Sequence, residues 1–486
     1  MEERRSLVTY KIIIIGGGPG GYVAAIRAAQ LGAKVALVEN HKIGGTCLNY
    51  GCIPTKAFYK SAELIDEAKH ANSYGLEIDG VRLNTELLQV QRQKVVTDLT
   101  SGVEKILIAN GVEIINGTAS FNSKDSITVT SEDGSSTDLS AEHFIIATGS
   151  KVFIPPVKGI ESKYVVTSKE LLEFEELPEK LVILGGGVIA MEFASIFNSF
   201  GSDVTVVARS SVLKTFDKDV VKRVSAYMKK SGIKILTNTS VLEVTDGENG
   251  AKVAVEGKKG EALIEADLIL SAMGRRPHFT GLNVDVGGIN LKGHAIEVDS
   301  HFKTSNSKVY AIGDVNGKYM LAHAASHQGV HVVEEILGIS QEHDEIQYSG
   351  DLSVSKMDIM PGCVFISPEL AAVGIGEDQA KEMELDVKVS KFPFTANGKA
   401  MTLNHTEGFV KLIALESGNL IGAQILGAHA SDLIHELTLA IANGLNVTDV
   451  TSTIHAHPTL SESVAEAGFG LLEGALHMAP IKKKKS

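Results

Sequence analysis

The sequence predicts an α/β fold built on two separate βαβ units with parallel strands. "YKIIIIGGGPGGYVAAIRAAQLGAKVALVE" reads as a buried apolar strand, a glycine turn, a helix with apolar spacing and a second strand ending at Glu39. "KLVILGGGVIAMEFASIFNSFGSDVTVVARSS" repeats the same order of elements. The length supplies a third observation: 486 residues exceed one ordinary core and suggest roughly three domains.

In the first unit, Gly16, Gly18 and Gly21 fill the three glycine places of a Rossmann-like turn. They allow a tight turn, the approach of a pyrophosphate to the backbone, and close packing of helix on strand. Glu39 stands where a carboxylate accepts hydrogen bonds from an adenosine ribose. In the second unit Gly185, Gly187 and Ala190 hold the same places, so two dinucleotides are implied. A later strand, "VYAIGD" from Val309 to Asp314, ends in a carboxylate suited to a sugar-like hydroxyl.

The second unit departs from the first at its end. Ala208 stands where a ribose-binding acid is expected, followed by Arg209, with Ser210, Ser211 and Lys214 beyond. A missing carboxylate removes repulsion towards a 2′-phosphate, and an arginine can pair with one.

Composition narrows the class. With 46 Lys and Arg against 59 Asp and Glu, the formal charge of −13 disfavours a broad nucleic-acid surface. The basic run Lys482 to Lys485 reads as a solvated terminus. Four isoleucines before the first glycines make neither a secretory signal nor a membrane span, so no membrane association is expected. The expected compartment is the cytoplasm, or the mitochondrial matrix if a targeting segment has been removed. Only three cysteines occur, which excludes a structural disulfide framework. Two of them, Cys47 and Cys52, lie close together in "GGTCLNYGCIPTK", as a redox couple or half of a metal site.

The motifs form an ordered series: glycine turn, cysteine pair, "ATG" at Ala147 to Gly149, second glycine turn, "GRRP" at Gly274 to Pro277, "AIGD" and "HAHPTLSE". This series resembles the pyridine nucleotide–disulfide oxidoreductase flavoproteins, and among them the dihydrolipoamide dehydrogenases, over nearly the whole chain. "KFPFTANGKA" and "GAHASDLIHE" resemble interface-domain segments of that family. The resemblance implies two Rossmann-like dinucleotide-binding domains plus an α+β C-terminal dimerisation domain. It implies FAD at Gly16, Gly18, Gly21 and Glu39, with Asp314 on the ribityl chain, and NAD or NADP at Gly185, Gly187, Ala190 and Arg209. Thr148, Gly149 and Gly274 join the cofactor contacts through their motifs. The implied division is an FAD domain split over 1–150 and 278–350, an NAD(P) domain over 151–277 and an interface domain over 351–486 that forms a homodimer.

In a regular helix, residues five apart have Cα atoms roughly 8–9 Å from each other. A disulfide tolerates no more than about 7 Å, so Cys47 and Cys52 can bridge only where the chain leaves regular helix. Gly44, Gly45 and Gly51 permit that departure, and Pro54 marks the start of the next helix. Zinc is the main competitor, but no second Cys/His pair accompanies this one at ligand spacing, and no residue is assigned to a metal. A readily reduced disulfide accounts for the pair, the glycines and the flavin motif together.

By resemblance, Cys47 is the interchange thiol and Cys52 lies against the flavin. Lys56 approaches the isoalloxazine ring and pairs with Glu192. The proton released by thiol exchange needs an acceptor near neutral pH. In "HAHPTLSE" two histidines alternate, so an extended segment points them to opposite faces. The resemblance assigns the base to His457, oriented by Glu462 and acting on the cysteine pair of the other subunit, and leaves His455 structural. Cys363 stands alone in an apolar run and reads as a buried structural thiol.

The implied activity is oxidation of dihydrolipoamide through Cys47–Cys52 and FAD to NAD or NADP, with the lipoyl group borne by an acyltransferase or carrier protein of a 2-oxo acid, acetoin or glycine cleavage complex. An NADPH-dependent reductase of another disulfide or of a metal ion is the alternative within the family. The C-terminal segment lacks the extra cysteine pair usual in mercuric reductase. A catalytically idle flavin-binding regulatory protein is the alternative from another class, and the intact Cys47, Cys52, Lys56, His457 and Glu462 speak against it.

Overall fold

The computed structural model describes residues 9–339, 345–348 and 352–479, so the basic run Lys482 to Lys485 lies outside the described residues. The isoleucine run forms the strand Thr9–Ile15, flanked by the parallel strands Val35–Glu39 and Ser136–Ile146. Ile12, Ile13 and Ile14 are fully buried. Burial of both faces explains a continuous apolar run where a half-exposed strand would alternate. Val309–Ala311, from far along the chain, joins the same seven-stranded sheet beside Ser136–Ile146.

The second glycine unit builds a parallel sheet in the order Lys234–Thr237, Asp203–Ala208, Lys180–Leu184, Leu268–Ser271, Val165–Val166. The chain links the two sheets through an antiparallel ribbon that pairs Ser150–Val152 with Arg275–Pro277. Beyond Gly362 the register turns antiparallel: strands 362–364, 370–374, 420–426, 409–415 and 387–393 form a five-stranded sheet. The helices Ala430–Ala442 and Glu462–Leu471 cover it with Ile434, Leu437, Val464 and Ala467.

One polar knot ties the start of the helix Lys218–Lys230, which follows the strand Asp203–Ala208 of the second sheet, to this third sheet. Lys411, fully buried in the strand Phe409–Leu415, reaches Asp217 at 2.7 Å, Glu377 at 2.8 Å and Asp219 at 3.0 Å. Burial opposes its charge, but the three carboxylates outweigh that and hold its pKa above the usual lysine value. Among the described residues, no helix is long and apolar enough to cross a membrane.

Candidate functional site

The cysteine segment breaks where the geometry required. The helix Gly45–Tyr50 ends at Gly51, whose φ of −138° and ψ of −109° leave the helical region, and the helix Cys52–Lys69 starts immediately after. Cys47 and Cys52 therefore sit on different helices. Thr55 anchors the second start by donating its amide and hydroxyl to the Gly51 carbonyl. Gly45 has φ +54°, and a Cβ there would lie 2.7 Å from the Gly18 Cα, so the start of the helix that carries Cys47 packs directly against the first glycine turn.

Both cysteines are free thiols in hydrogen-bonding contact. The Cys47 thiol donates to Cys52 and, with Lys56 assisting against the cost of burial, brings Cys52 down to about 7. That hydrogen bond, burial and the neighbouring Cys52 charge push Cys47 up. The negative charge of the reduced pair thus resides on Cys52.

Lys56, one turn further along the same helix, places its ammonium 2.9 and 3.0 Å from the two carboxylate oxygens of Glu192. Glu192 is buried on the helix Val188–Phe200 and also accepts the Phe365 amide at 3.0 Å. The Phe365 ring lies 4.5 Å beneath the Lys56 ammonium. One ion pair therefore joins the dithiol helix, the second dinucleotide unit and the link between the strands 362–364 and 370–374 of the third sheet.

Sequence reasoning did not single out Arg275, Tyr22 or Phe365. Burial lowers the Arg275 pKa against the opposing charges of Asp314 and Cys52. Its Nε donates to Ser150 Oγ and its Nη2 to the Ser150 carbonyl, both at 2.8 Å, while Ser150 Oγ donates to Asp314. Asp314 lies in a short 3₁₀ turn, Gly313–Asn316, just past its strand and not at the strand end itself. Tyr22 is raised by burial first and then by the charges of both cysteines. Arg275 stood within the quoted "GRRP"; a signal was present and only its glycine was used.

Both glycine turns fit a dinucleotide. Gly16 has φ +107° and a Cβ there would meet the Ala147 carbonyl oxygen at 2.4 Å, while one at Gly21 would meet the Gly16 oxygen at 1.8 Å. A Cβ at Gly18 would point into open space, with the Gly45 Cα at 3.9 Å as its nearest neighbour. That space faces the N-terminus of the helix Pro19–Gln30, which attracts anions. Glu39 accepts the Gly17 amide at 2.6 Å and the His41 amide at 2.8 Å, which fixes its carboxylate beside the turn. Thr148 donates to the His278 carbonyl, and Gly149 and Gly274 both have positive φ, at +69° and +124°.

The second turn repeats the design. A Cβ at Gly185 would lie 2.3 Å from the Ala272 oxygen, and one at Gly187 would meet nothing within 4 Å. Ala190 is fully buried against the helix-to-sheet seam. Ala208 ends its strand buried, whereas Arg209 is exposed and makes no ion pair among the described residues.

The two histidines of "HAHPTLSE" do face apart. His455 is largely buried, with Nε2 2.8 Å from a Glu436 oxygen and Nδ1 3.0 Å from the Thr453 carbonyl. His457 is exposed, with Nδ1 2.8 Å from Glu462. Burial raises the Glu462 carboxyl, but the Thr459 amide and His457 outweigh it and leave the group below its ordinary value. Glu462 is therefore ionised and orients the ring, leaving Nε2 outward. No hydrogen bond or ion pair joins His457 to Cys47 or Cys52 within the chain among the described residues. Cys363 is half-buried on the strand Gly362–Val364, less enclosed than its apolar run suggested, and burial pushes its thiol up to about 11.

Comparison with known proteins places this geometry. The family model described as pyridine nucleotide-disulphide oxidoreductase matches residues 10–329, and the model of that family's dimerisation domain matches residues 360–468. A dihydrolipoyl dehydrogenase of Staphylococcus aureus is 44% identical over 469 residues, covering 96% of this chain and 97% of the relative. The mitochondrial dihydrolipoyl dehydrogenase of Pisum sativum is 39% identical over 474 residues, covering 96% and 92%. Among solved structures, a copper(II) complex of a cysteine-to-serine mutant of the HOCl-induced flavoprotein disulfide reductase RclA from Escherichia coli has a TM-score of 0.84 at 29% identity, covering 96% of this chain and all of that one. With both models matched and identity sustained over almost its whole length, the chain belongs to the pyridine nucleotide-disulphide oxidoreductase family.

Proposed function

We propose that this chain is an FAD-dependent dihydrolipoyl dehydrogenase, which oxidises dihydrolipoamide to lipoamide and passes the electrons to NAD or NADP. The observation that carries the reading is the Cys47–Cys52 pair, set on two helices broken at Gly51, with Lys56 one turn beyond Cys52 and Gly45 packed directly against the first glycine turn. Relatives named for this activity match nearly end to end.

In the substrate half, one sulfur of dihydrolipoamide attacks Cys47 of the Cys47–Cys52 disulfide. A substrate–Cys47 disulfide forms and Cys52 leaves as a thiolate, stabilised by Lys56. The second substrate sulfur then attacks the first, closing lipoamide and releasing Cys47. Of the two protons lost by the substrate, one stays on Cys47 and one goes to His457, whose imidazolium is balanced by Glu462. FAD, when bound, supplies the two-electron relay between this dithiol and the nicotinamide. Gly16, Gly18, Gly21, Glu39 and Asp314 would hold the flavin nucleotide, and Gly185, Gly187 and Ala190 the pyridine nucleotide.

His457 acts on the dithiol of the second subunit in a homodimer formed through residues 351–486. The lipoyl group is brought by a partner acyltransferase or carrier protein. The compartment is the cytoplasm, or the mitochondrial matrix if a targeting segment has been removed; the name of the pea relative says mitochondrial.

A second reading, a reductase that carries electrons from NADPH to another disulfide or a metal ion, is favoured by Ala208 and by exposed Arg209, which makes no ion pair among the described residues. The deciding experiment is the initial rate of dihydrolipoamide oxidation by the FAD-loaded protein with NAD and then NADP. Turnover that disappears in Cys47→Ser and Cys52→Ser supports the first reading. No turnover with either nucleotide, and no bleaching of bound flavin by dihydrolipoamide, overturns it.

A further inference from the structure

A second cluster of ligating side chains lies outside both glycine turns and the dithiol. His331 and Glu335 stand one turn apart on the helix Ala322–Ile336, so their side chains share a face. His301, 34 residues before Glu335, is brought to the same face by the turn that precedes the strand Val309–Ala311. Its Nδ1 is 3.0 Å from Glu335 Oε2, His331 Nε2 is 3.6 Å from the same oxygen, and all three ligand atoms lie within 4.8 Å of one another.

A tetrahedral ion with ligands at about 2.0–2.1 Å needs them roughly 3.3 Å apart. The two separations to Glu335, 3.0 and 3.6 Å, bracket that value, and the two histidine nitrogens lie within 4.8 Å of each other, close enough for a small rotation of half-exposed His301 to complete the set. The turn that presents His301 is firmly held. Asp299 Oδ1 accepts the amides of His301 and Lys303 at 2.9 Å each. Phe302, at φ +60°, is nearly fully buried with its ring against His331. A bulky residue in the left-handed region persists only where its surroundings over-determine it.

The plain alternative is an ion-pair network, since Lys303 Nζ lies 3.6 Å from Glu335. Lys303 approaches Oε1, however, and also bonds Tyr310, whereas both histidines converge on Oε2. The carboxylate thus offers one oxygen to the lysine and the other to the histidine face. That face is a two-histidine, one-carboxylate set with half-exposed His301 at its mouth.

We propose that His301, His331 and Glu335 form a binding site for a borderline divalent transition cation such as Zn²⁺, with a solvent molecule completing the coordination. Binding would pin the 299–303 turn to the end of the helix and stabilise the folded chain by mass action.

The test is equilibrium dialysis of the oxidised, FAD-loaded full chain against Zn²⁺, with bound metal counted per chain and thermal unfolding followed in parallel. One Zn²⁺ per chain is expected in the parent and in Cys47→Ser/Cys52→Ser, with a raised unfolding temperature. Affinity should fall on the order of tenfold or more in His301→Ala, His331→Ala and Glu335→Gln, because even outer partners of metal ligands are worth that much. His301 is half-exposed, so its variant guards against failure to fold. Absence of stoichiometric binding overturns the site, as does binding that survives all three substitutions or disappears with the cysteines.

Discussion

Lys56 and Glu192, 136 residues apart in sequence, close a two-oxygen ion pair at 2.9 and 3.0 Å between the dithiol helix and the second dinucleotide unit. Glu192 is almost fully enclosed while Lys56 keeps about a third of its side chain in solvent. Removal of the lysine therefore strands a buried carboxylate. Lys56→Met is expected to cost about 2 kcal/mol, less than a fully buried pair would, because water still reaches the lysine side. The urea midpoint measures this, and an unchanged midpoint would show that solvent replaces the ammonium.

The same lysine governs the charge of the reduced dithiol. Cys52 is held at about 7, below an ordinary thiol, so its charge is present above that pH and is lost as pH falls through it. Thiolate absorbance of the reduced protein should rise with a midpoint near 7. Cys47→Ala removes the donated hydrogen bond and Lys56→Met removes the nearby positive charge, and each should move that midpoint upward. A midpoint unmoved by both changes would exclude this account of the Cys52 thiolate.

Exposed His457 makes no hydrogen bond or ion pair with its own cysteines among the described residues, which suits action across a dimer. A mixed dimer of a Cys47→Ser chain and a His457→Gln chain should then contain one intact site. Each parent homodimer should lose on the order of a hundredfold or more in turnover, the scale of general-base loss. Co-expressed, they should recover a substantial fraction of wild-type activity. No recovery in isolated heterodimers would place base and dithiol in one chain.

Ala208 ends the strand Asp203–Ala208 with a small buried side chain, and Arg209 follows as an exposed cation with no ion pair among the described residues. Ala208→Glu should lower the NADP-to-NAD ratio of kcat/KM by on the order of tenfold to a hundredfold, the worth of a charge-assisted hydrogen bond. Arg209→Ala should move it in the same direction. If the ratio is indifferent to both substitutions, Arg209 is a solvated side chain and nothing more.

Legibility followed locality. Both glycine turns, the strands before them and the break between the cysteines were readable because each depends on neighbours within a few residues: an apolar run, a glycine that must approach a carbonyl, a proline near a helix start. Alternation along an extended segment also sent His455 and His457 to different partners, although it did not say which of the two is the base; that came from the resemblance. Cys363 was read as more enclosed than it is, because an apolar run does not say how far a third sheet will cover it. Arg275 was visible in "GRRP", yet nothing in its spacing said that its guanidinium would reach Ser150 and lie near Asp314 and Cys52.

What the sequence determined by itself was the backbone grammar: two βαβ units, the uncrowded backbone at Gly18 and Gly187, and a thiol pair that regular helix could not join. Tertiary structure decided the partners. Glu192 with Lys56, Lys411 with its three carboxylates, and His301 with His331 and Glu335 meet only after separate sheets and helices have packed. Local backbone preference and side-chain periodicity set which face an element presents. Which faces then meet depends on burial and charge compensation over the whole chain, and short-range pattern carries no record of that.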